Sequence, residues 1–225
     1  MNSLEMAVPF VASSLILSRL RLETRPEHEA VEKLLDLMSA SLTPDRYRQR
    51  LEQFYGFYRP MEDALREQGK QGEGDALDAA LSDSTRSAMS SRLIKTSHLN
   101  RDLQALGAAP DGLPLCRQLP PLDNQAQLLG CMYVLEGATL GGRMITQHVR
   151  ATLGITQATG GSFFEGYGDD TAKMWQGMRQ LLVSSATDVP AEDAMVASAI
   201  ATFACLGRWC QSNQKSLASE TAQHA

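Results

Sequence analysis

Residues 133–145 read YVLEGATLGGRMI and lie within 123–153, a stretch whose apolar residues recur at helical spacing. Asp123 is of the residue type that caps a helix N-terminus, so the sequence predicts one long helix that ends near Leu153. The same spacing recurs along most of the chain, and no convincing alternation of period two interrupts it. The sequence therefore predicts an all-α fold.

The glycines of this stretch distinguish it from an ordinary core helix. Each of Gly137, Gly141 and Gly142 costs a helix interior about 1 kcal/mol relative to alanine. Gly137 and Gly141 share one face of the helix, and Tyr133 lies on that face one turn earlier. Two interpretations are equal at this point: the backbone lies against a flat ligand, or it packs tightly against another helix.

The remaining helices are predicted from apolar spacing together with Pro, Gly and capping residues. They cover about 14–40, 44 to the glycine run at 69–74, 76–107 (open to a break near 82–84), 170–185 and the region from Asp188 onward, with loops at 108–122 and 159–170. No repeat or change of composition divides the chain. We expect a single helical domain over 14–215, preceded by an N-terminal segment 1–13 and followed by a flexible tail at 216–225.

Composition narrows the classes of function. The chain has 225 residues and a formal charge of −5, and this mildly acidic balance lacks the excess of Lys and Arg that nucleic-acid binding needs. No apolar run reaches the length of about 18 residues that suggests a membrane span. Residues 6–17 lack the basic start and the cleavage site of a signal peptide. Cys116, Cys131, Cys205 and Cys210 show neither CxxC nor zinc spacing, so we expect reduced thiols in a cytoplasmic protein.

Four polar residues near the N-terminus follow the helical repeat. Arg21, Arg25, His28 and Glu32 are separated by four, three and four residues, so on one continuous helix they project from a single face. Neutral imidazole ligates iron, and a carboxylate one turn away can accept the other ring N–H of a ligating histidine. Two arginines can bind two carboxylates. The row thus fits a ligand that carries a metal and carboxylates, although a solvated Arg–Glu row is the commoner case.

The segment Thr24-Arg25-Pro26-Glu27 leaves the geometry of this row open. It matches a capping box, in which Thr24 caps a new helix and Glu27 answers it. If a helix begins there, Arg21 leaves the row. If one helix continues through the segment, Pro26 removes a backbone hydrogen bond and kinks the helix.

Two motifs together resemble the bacterial heme oxygenases, and particularly those that serve bacteriophytochromes. The motifs are TRPEHEAVE at 24–32 and YVLEGATLGGRMI at 133–145. Weaker similarities run in the same order through FYGFYRPMEDAL, HLNRDLQALG, SFFEGYGDDTAKMW and ATFACLGRWC, so the resemblance covers about Leu20 to Cys210. It implies an all-helical fold that holds heme between a proximal and a distal helix.

The resemblance also implies roles for individual residues. His28 corresponds to the proximal histidine that ligates the heme iron, and Glu32 corresponds to the carboxylate that contacts this histidine. The other correspondences are Arg21, Arg25 and Tyr133 near the heme propionates, Gly137 and Gly141 as catalytic positions of the distal helix with Gly142 beside them, and Phe203 as an aromatic wall. Ala138 stands where mammalian-type members have an aspartate that orders distal water, so the route of proton delivery stays open.

The implied activity is oxidative cleavage of heme b, which is both substrate and cofactor, to biliverdin, carbon monoxide and ferrous iron. O2 is needed, and electrons must come from a ferredoxin or a reductase, because the chain has no flavin, nicotinamide or cluster motif. Arginines on the proximal helix favour the IX-alpha isomer, and a biliverdin-accepting phytochrome is an expected partner. The alternatives are a heme carrier without turnover, a di-iron oxygenase that uses Glu62, Glu136 and His148, and a plain interaction domain.

Overall fold

The computed structural model describes residues 8–70 and 81–223, with side chains over 15–69 and 81–213. The segments 1–7, 71–80 and 224–225 lie outside the described residues, as do the parts of the predicted N-terminal segment, of the predicted helix over 76–107 and of the predicted tail that fall on them. Every regular element of the described residues is helical, which confirms the predicted all-α fold.

Nine α-helices and two short 3-10 turns follow one another along the described part of the chain. The α-helices are α1 (Val8–Glu23), α2 (Arg25–Leu35), α3 (Pro44–Lys70), α4 (Asp83–Arg92), α5 (Lys95–Ala105), α6 (Gln125–Leu153), α7 (Ser162–Glu165), α8 (Thr171–Ser185) and α9 (Val189–Gln223).

The first predicted helix is two helices in the structure. α1 and α2 are separated at Thr24, so the single helix predicted over 14–40 is wrong. The alternative capping box is also not formed, because the Thr24 hydroxyl donates to the carbonyl of Leu20 (2.6 Å) and caps nothing in α2. α2 ends at Leu35, where Asp36 adopts a left-handed conformation with φ of 50°.

Most other predicted helix ends lie close to the observed ones. α6 begins slightly later than predicted, because the side chain of Asn124, and not that of Asp123, accepts a backbone N–H of the first turn (3.0 Å). Asp188 caps α9 as predicted, since its carboxylate accepts the backbone N–H of Ala191 (2.8 Å). α9 then continues as a helix to Gln223, through much of the predicted tail.

Two predicted regions contain elements that local sequence does not reveal. The helix predicted over 76–107 is divided into α4 and α5, and the Glu62 carboxylate of α3 accepts the backbone N–H of Lys95 (2.7 Å) at the division. The loop predicted over 159–170 contains the short helix α7, whose first N–H groups are accepted by Asp102 of α5. Both starts therefore depend on carboxylates that are distant in sequence.

α6 and α9 cross at the centre of the bundle. A Cβ at Gly130 of α6 would lie 2.1 Å from the carbonyl oxygen of Met195 in α9, so only glycine permits this approach. Ser198 of α9 also donates to the carbonyl of Gln127 in α6 (2.7 Å). Around this pair, α3 packs against α5 and α9, α8 packs against α6 and α1, and α2 packs against α9.

The stretch Val189–Asn213 of α9 is long and apolar enough, by length and composition alone, to span a membrane. Several side chains of this stretch are buried inside the helical bundle. Met195, Ala199 and Cys210 belong to the buried core of the bundle. Packing against the other helices therefore accounts for part of the apolar character of α9, since 44% of the apolar window is buried.

Candidate functional site

α2 is held in place by buried contacts along one side. Val31 is buried, and a Cβ at Gly207 of α9 would lie 3.6 Å from its Cγ2, in ordinary van der Waals contact. At the end of α2, the Arg50 guanidinium of α3 donates to the carbonyl of Leu35 (2.9 Å), one of the carbonyls left unpaired at a helix C-terminus. α2 thus has a fixed position while its outer side chains are exposed.

His28 lies on α2 with one side packed and the other open. Its ring stands perpendicular to that of Phe203 in α9, with the ring centroids 5.4 Å apart. Nδ1 lies 3.6 Å from a carboxylate oxygen of Glu32, and the His28 side chain is 50% exposed. Nε2 makes no hydrogen bond to any residue that the structure describes. An imidazole with Nδ1 facing a carboxylate and Nε2 free is arranged as a metal ligand.

Gly137 and Gly141 of α6 face open space. No atom lies within 4 Å of a Cβ built at either position, apart from the neighbouring residues and the helix's own backbone. Leu140 and Met144 lie near them on the helix and are 46% and 65% exposed. A helix face of glycines and exposed apolar side chains can accept a flat, apolar ligand close to the backbone. We call these four residues the open face of α6.

Gly142 does not belong to the open face. A Cβ at Gly142 would lie 2.2 Å from the carbonyl oxygen of Phe164 in α7, so a side chain there would collide with backbone. The structure thus separates the two interpretations of the glycines. Helix packing explains Gly142, which is turned toward α7, whereas Gly137 and Gly141 have the open space that a ligand needs.

Tyr133 lies one turn before the open face and joins α6 to the end of α1. Its phenol interacts electrostatically with the Thr24 hydroxyl and with the charge of Arg21. Burial raises the pKa of Tyr133, while Thr24 and Arg21 act in the opposite direction. Tyr133 thus lies within electrostatic range of Arg21 at the end of α1.

A second contact joins the far end of the open face to the loop after α2. His148 Nε2 of α6 lies 3.0 Å from the carbonyl oxygen of Ser39. Thr24 and Ser39 flank α2, so these two interactions bring both ends of α2 near the stretch of α6 from Tyr133 to His148, which spans about 22 Å.

The arginines are arranged differently from the single row that the spacing predicts. Because the chain breaks at Thr24, Arg21 lies on α1, and only Arg25, His28 and Glu32 remain on α2. Arg25 is 70% exposed, and its Nε lies 2.6 Å from a carboxylate oxygen of Glu29. The prediction of one continuous row is wrong for Arg21, which lies on α1.

A model of the heme oxygenase family matches residues 14–212. The chain belongs to the heme oxygenase family. Among solved structures, it is similar to the heme oxygenase of Neisseria meningitidis, known in NO- and CO-bound forms, with a TM-score of 0.68, 19% identity, and coverage of 88% of this chain and 90% of the other. The heme oxygenase of Leptospira interrogans is also similar, with a TM-score of 0.62, 19% identity, and coverage of 87% and 98%. Comparison with curated proteins gives no match.

As a heme oxygenase, the protein is an oxidoreductase with heme as its ligand and substrate. The residues present fit this group: His28 has a free imidazole nitrogen, and Gly137 and Gly141 face open space. Membership of the bacteriophytochrome-associated subgroup is a finer prediction than the family model tests.

The di-iron alternative has no support in this heme oxygenase. The described residues contain no group of three or more His, Cys, Asp or Glu side chains that could hold a metal ion. Glu62 lies 2.8 Å from Arg66, and Glu136 lies 3.5 Å from Arg92, so cations and not metal ligands surround these carboxylates. Nε2 of His148 lies 3.0 Å from the backbone carbonyl oxygen of Ser39, at the far end of the open face.

Sequence reasoning missed a buried charged cluster behind the open face of the heme oxygenase. The sequence suggests Glu136 only as a di-iron ligand, and it indicates no role for Lys95 or Tyr167. The available signal was the position of Glu136: it is a carboxylate in the apolar half of α6, directly before Gly137. A charge in such a place is retained only where partners are buried with it.

Proposed function

We propose that this heme oxygenase cleaves heme b to biliverdin, with release of carbon monoxide and ferrous iron, using O2 and electrons from an external donor. The supporting observations are the free Nε2 of His28, the open space at Gly137 and Gly141, and the interactions that bring both ends of α2 near α6. The space between α2 and the open face is the proposed heme opening. Heme supplies the oxidative chemistry as both substrate and cofactor. The chain supplies ligation, orientation and exclusion of bulk water.

In this proposal His28 ligates the heme iron through Nε2. Glu32, one turn later, has a carboxylate oxygen 3.6 Å from Nδ1 and would accept a hydrogen bond from Nδ1–H on a small approach, which would fix the tautomer and raise the basicity of the ligating nitrogen. The perpendicular ring of Phe203 supports the imidazole from α9. Gly137 and Gly141 of α6 carry no side chain that would compete with His28 for the iron.

Arg21 and Arg25 are proposed to bind the heme propionates. Arg25 pairs with Glu29 on the surface, and exposed pairs contribute only about 0–1 kcal/mol, so a propionate can replace Glu29 readily. Arg21 lies within electrostatic range of Tyr133, and this cation and this phenol form the proposed propionate end of the opening. Anchoring at this end fixes the rotation of the ring, and we propose the IX-alpha isomer of biliverdin as product.

The test of activity is incubation of the hemin complex with a reductant in air. We expect loss of the Soret absorption, and chromatography should identify biliverdin IX-alpha. A Soret band that survives reduction in air would favour the heme carrier without turnover. A beta or delta isomer would contradict the assignment of the arginines.

A pair of histidine variants provides the control. His28→Ala should abolish turnover, whereas His98→Ala, on α5 and away from the opening, should retain it. Equal turnover in the two variants would contradict the proposed role of His28.

The proposal extends to partners and location. The motifs at 24–32 and 133–145 resemble those of enzymes that serve bacteriophytochromes, which supports transfer of biliverdin to a phytochrome. We propose a ferredoxin or a reductase as the electron donor, and the cytoplasm as the site of the reaction. Co-expression with a phytochrome apoprotein should yield covalently attached chromophore with wild-type enzyme and none with His28→Ala.

A further inference from the structure

The side of α6 away from the open face carries a buried charged cluster. We call Glu62, Arg92, Lys95, Glu136 and Tyr167 the back cluster. Glu62, Lys95 and Glu136 are all at most 3% exposed. These residues come from α3, from the α4–α5 region, from α6 and from the turn after α7. Three other parts of the chain therefore meet one turn of α6, directly beside Gly137.

Glu136 is the member of the back cluster that α6 contributes. One of its carboxylate oxygens accepts a hydrogen bond from the Tyr167 hydroxyl (2.8 Å), and the other lies 3.5 Å from Nε of Arg92. Burial raises the pKa of Glu136, and the charge of Lys95 partly opposes this effect. A buried carboxylate with such partners holds its helix to them, because the carboxylate cannot leave without losing both.

The ammonium group of Lys95 is buried and has no hydrogen-bond acceptor among the described residues. Its ammonium group lies 4.4 Å above the centroid of the Tyr167 ring, and it makes no hydrogen bond within the described residues. A small cavity lined by Glu62, Arg92, Lys95 and Glu136, with room for about one water molecule, lies beside it. A water there can accept a hydrogen bond from Lys95 Nζ and donate one to a carboxylate of the cluster.

The back cluster continues into a regular set of contacts along α6. Glu136, Thr139 and Gly142 are three residues apart in turn, so they follow one side of the helix. Glu136 contacts Tyr167, a Cβ at Gly166 would lie 3.3 Å from the Thr139 methyl, and Gly142 lies against Phe164. The segment 164–167 therefore follows the back of α6 along the length of the open face.

The segment behind α6 is itself fixed to α5. The Asp102 carboxylate is 1% exposed and accepts the backbone N–H of Ser162 (2.8 Å), the hydroxyl of Ser162 (2.6 Å) and the backbone N–H of Phe163 (2.7 Å). This buried cap is a rigid attachment, because a loss of Asp102 would leave several donors without acceptors. The back of α6 thus rests on a fixed surface.

We propose that Glu136 is a positioning residue, which, through Tyr167, Lys95 and an internal water, sets the height and rotation of the glycine segment of α6 above bound heme. Glycine is a poor helix former, and the open face has no protein contact to hold it. The position of Gly137 and Gly141 is therefore set from behind. This inference rests on the proposed function, since it concerns the ligand that lies against the open face.

The experiment compares Tyr167→Phe, Glu136→Gln and Glu136→Leu with wild type in the heme-loaded protein. Infrared spectra of the carbon monoxide complex of the ferrous form report the surroundings of the ligand opposite His28. Chromatography reports the biliverdin isomers. Tyr55→Phe is the matched control, because it also removes a buried phenol, which accepts a hydrogen bond from Arg59 (2.5 Å) within α3.

We expect Tyr167→Phe to shift or broaden the C–O stretching band and to add a second biliverdin isomer, with hemin affinity unchanged. Glu136→Gln should deviate less than Glu136→Leu, since its amide oxygen still accepts the Tyr167 proton. Tyr55→Phe should leave both readouts at wild-type values.

An unchanged C–O band and isomer ratio in Tyr167→Phe, with only a lower thermal midpoint, would overturn the inference and leave the proposed function intact. The same shift in Tyr55→Phe would overturn it as well. Failure of wild type to bind hemin through His28 would overturn the proposed function, and the inference with it.

Discussion

The three glycines of α6 give a quantitative prediction, because the structure assigns opposite signs to the same substitution. At Gly137 and Gly141 a methyl group would meet open space, so alanine should stabilise the ligand-free protein by about 1 kcal/mol through helix propensity. At Gly142 the methyl would lie 2.2 Å from a backbone oxygen of Phe164, which cannot rotate away. Overpacking of this kind costs about 3 kcal/mol, which leaves a net loss of about 2 kcal/mol after the propensity gain.

The assay is urea unfolding of the ligand-free variants followed by circular dichroism. The free energies of unfolding of Gly141→Ala and Gly142→Ala should differ by about 3 kcal/mol, or about 6–12 °C in thermal midpoint for a chain of this size. The more stable variant, Gly141→Ala, should nonetheless bind hemin more weakly or alter the product isomers. A stabilising Gly142→Ala, or a destabilising Gly141→Ala, would refute the assignment of the two helix faces.

The other predictions concern electrostatics, capping and the propionate end. Burial lowers the pKa of His98 from 6.5. Below pH 6.5 the unfolded chain therefore binds more protons than the native protein, and native stability falls as pH decreases through the lowered pKa. Urea unfolding at about pH 7.5 and about pH 5 should show a smaller fall in stability for His98→Asn than for wild type. Asp102→Ala should lower the unfolding free energy by about 3 kcal/mol or more, against no change for the exposed control Asp111→Ala. Arg21→Gln should weaken hemin binding and mix the product isomers, and chromatographic identity with wild type would exclude Arg21 as a propionate anchor.

The fold could be predicted where local sequence carries the cause. The Thr43-Pro44 start, the Asp188 cap and the proline-rich loop at 108–122 all depend on residues within one turn, and the structure confirms them. The missed features depend on distant partners. The start of α5 is capped by Glu62 and the start of α7 by Asp102, and neither pairing can be derived from spacing along the chain.

The candidate site divides in the same way. The periodicity of α6 correctly placed Gly137 and Gly141 on one face, but it could not show that Gly142 faces Phe164, because that contact depends on the position of α7. The break at Thr24 was one of two open alternatives. It was decided by a hydroxyl that donates backward to Leu20, which no residue pattern distinguishes from a forward cap.

The central claim is that the imidazole of His28 ligates heme beneath the open face of α6. The most direct test is the absorption spectrum of purified protein mixed with hemin, compared with that of His28→Ala before and after addition of free imidazole. We predict a histidine-ligated spectrum for wild type, its loss in His28→Ala with the fold retained, and its return when imidazole occupies the vacated space. An identical spectrum in wild type and His28→Ala would contradict the claim.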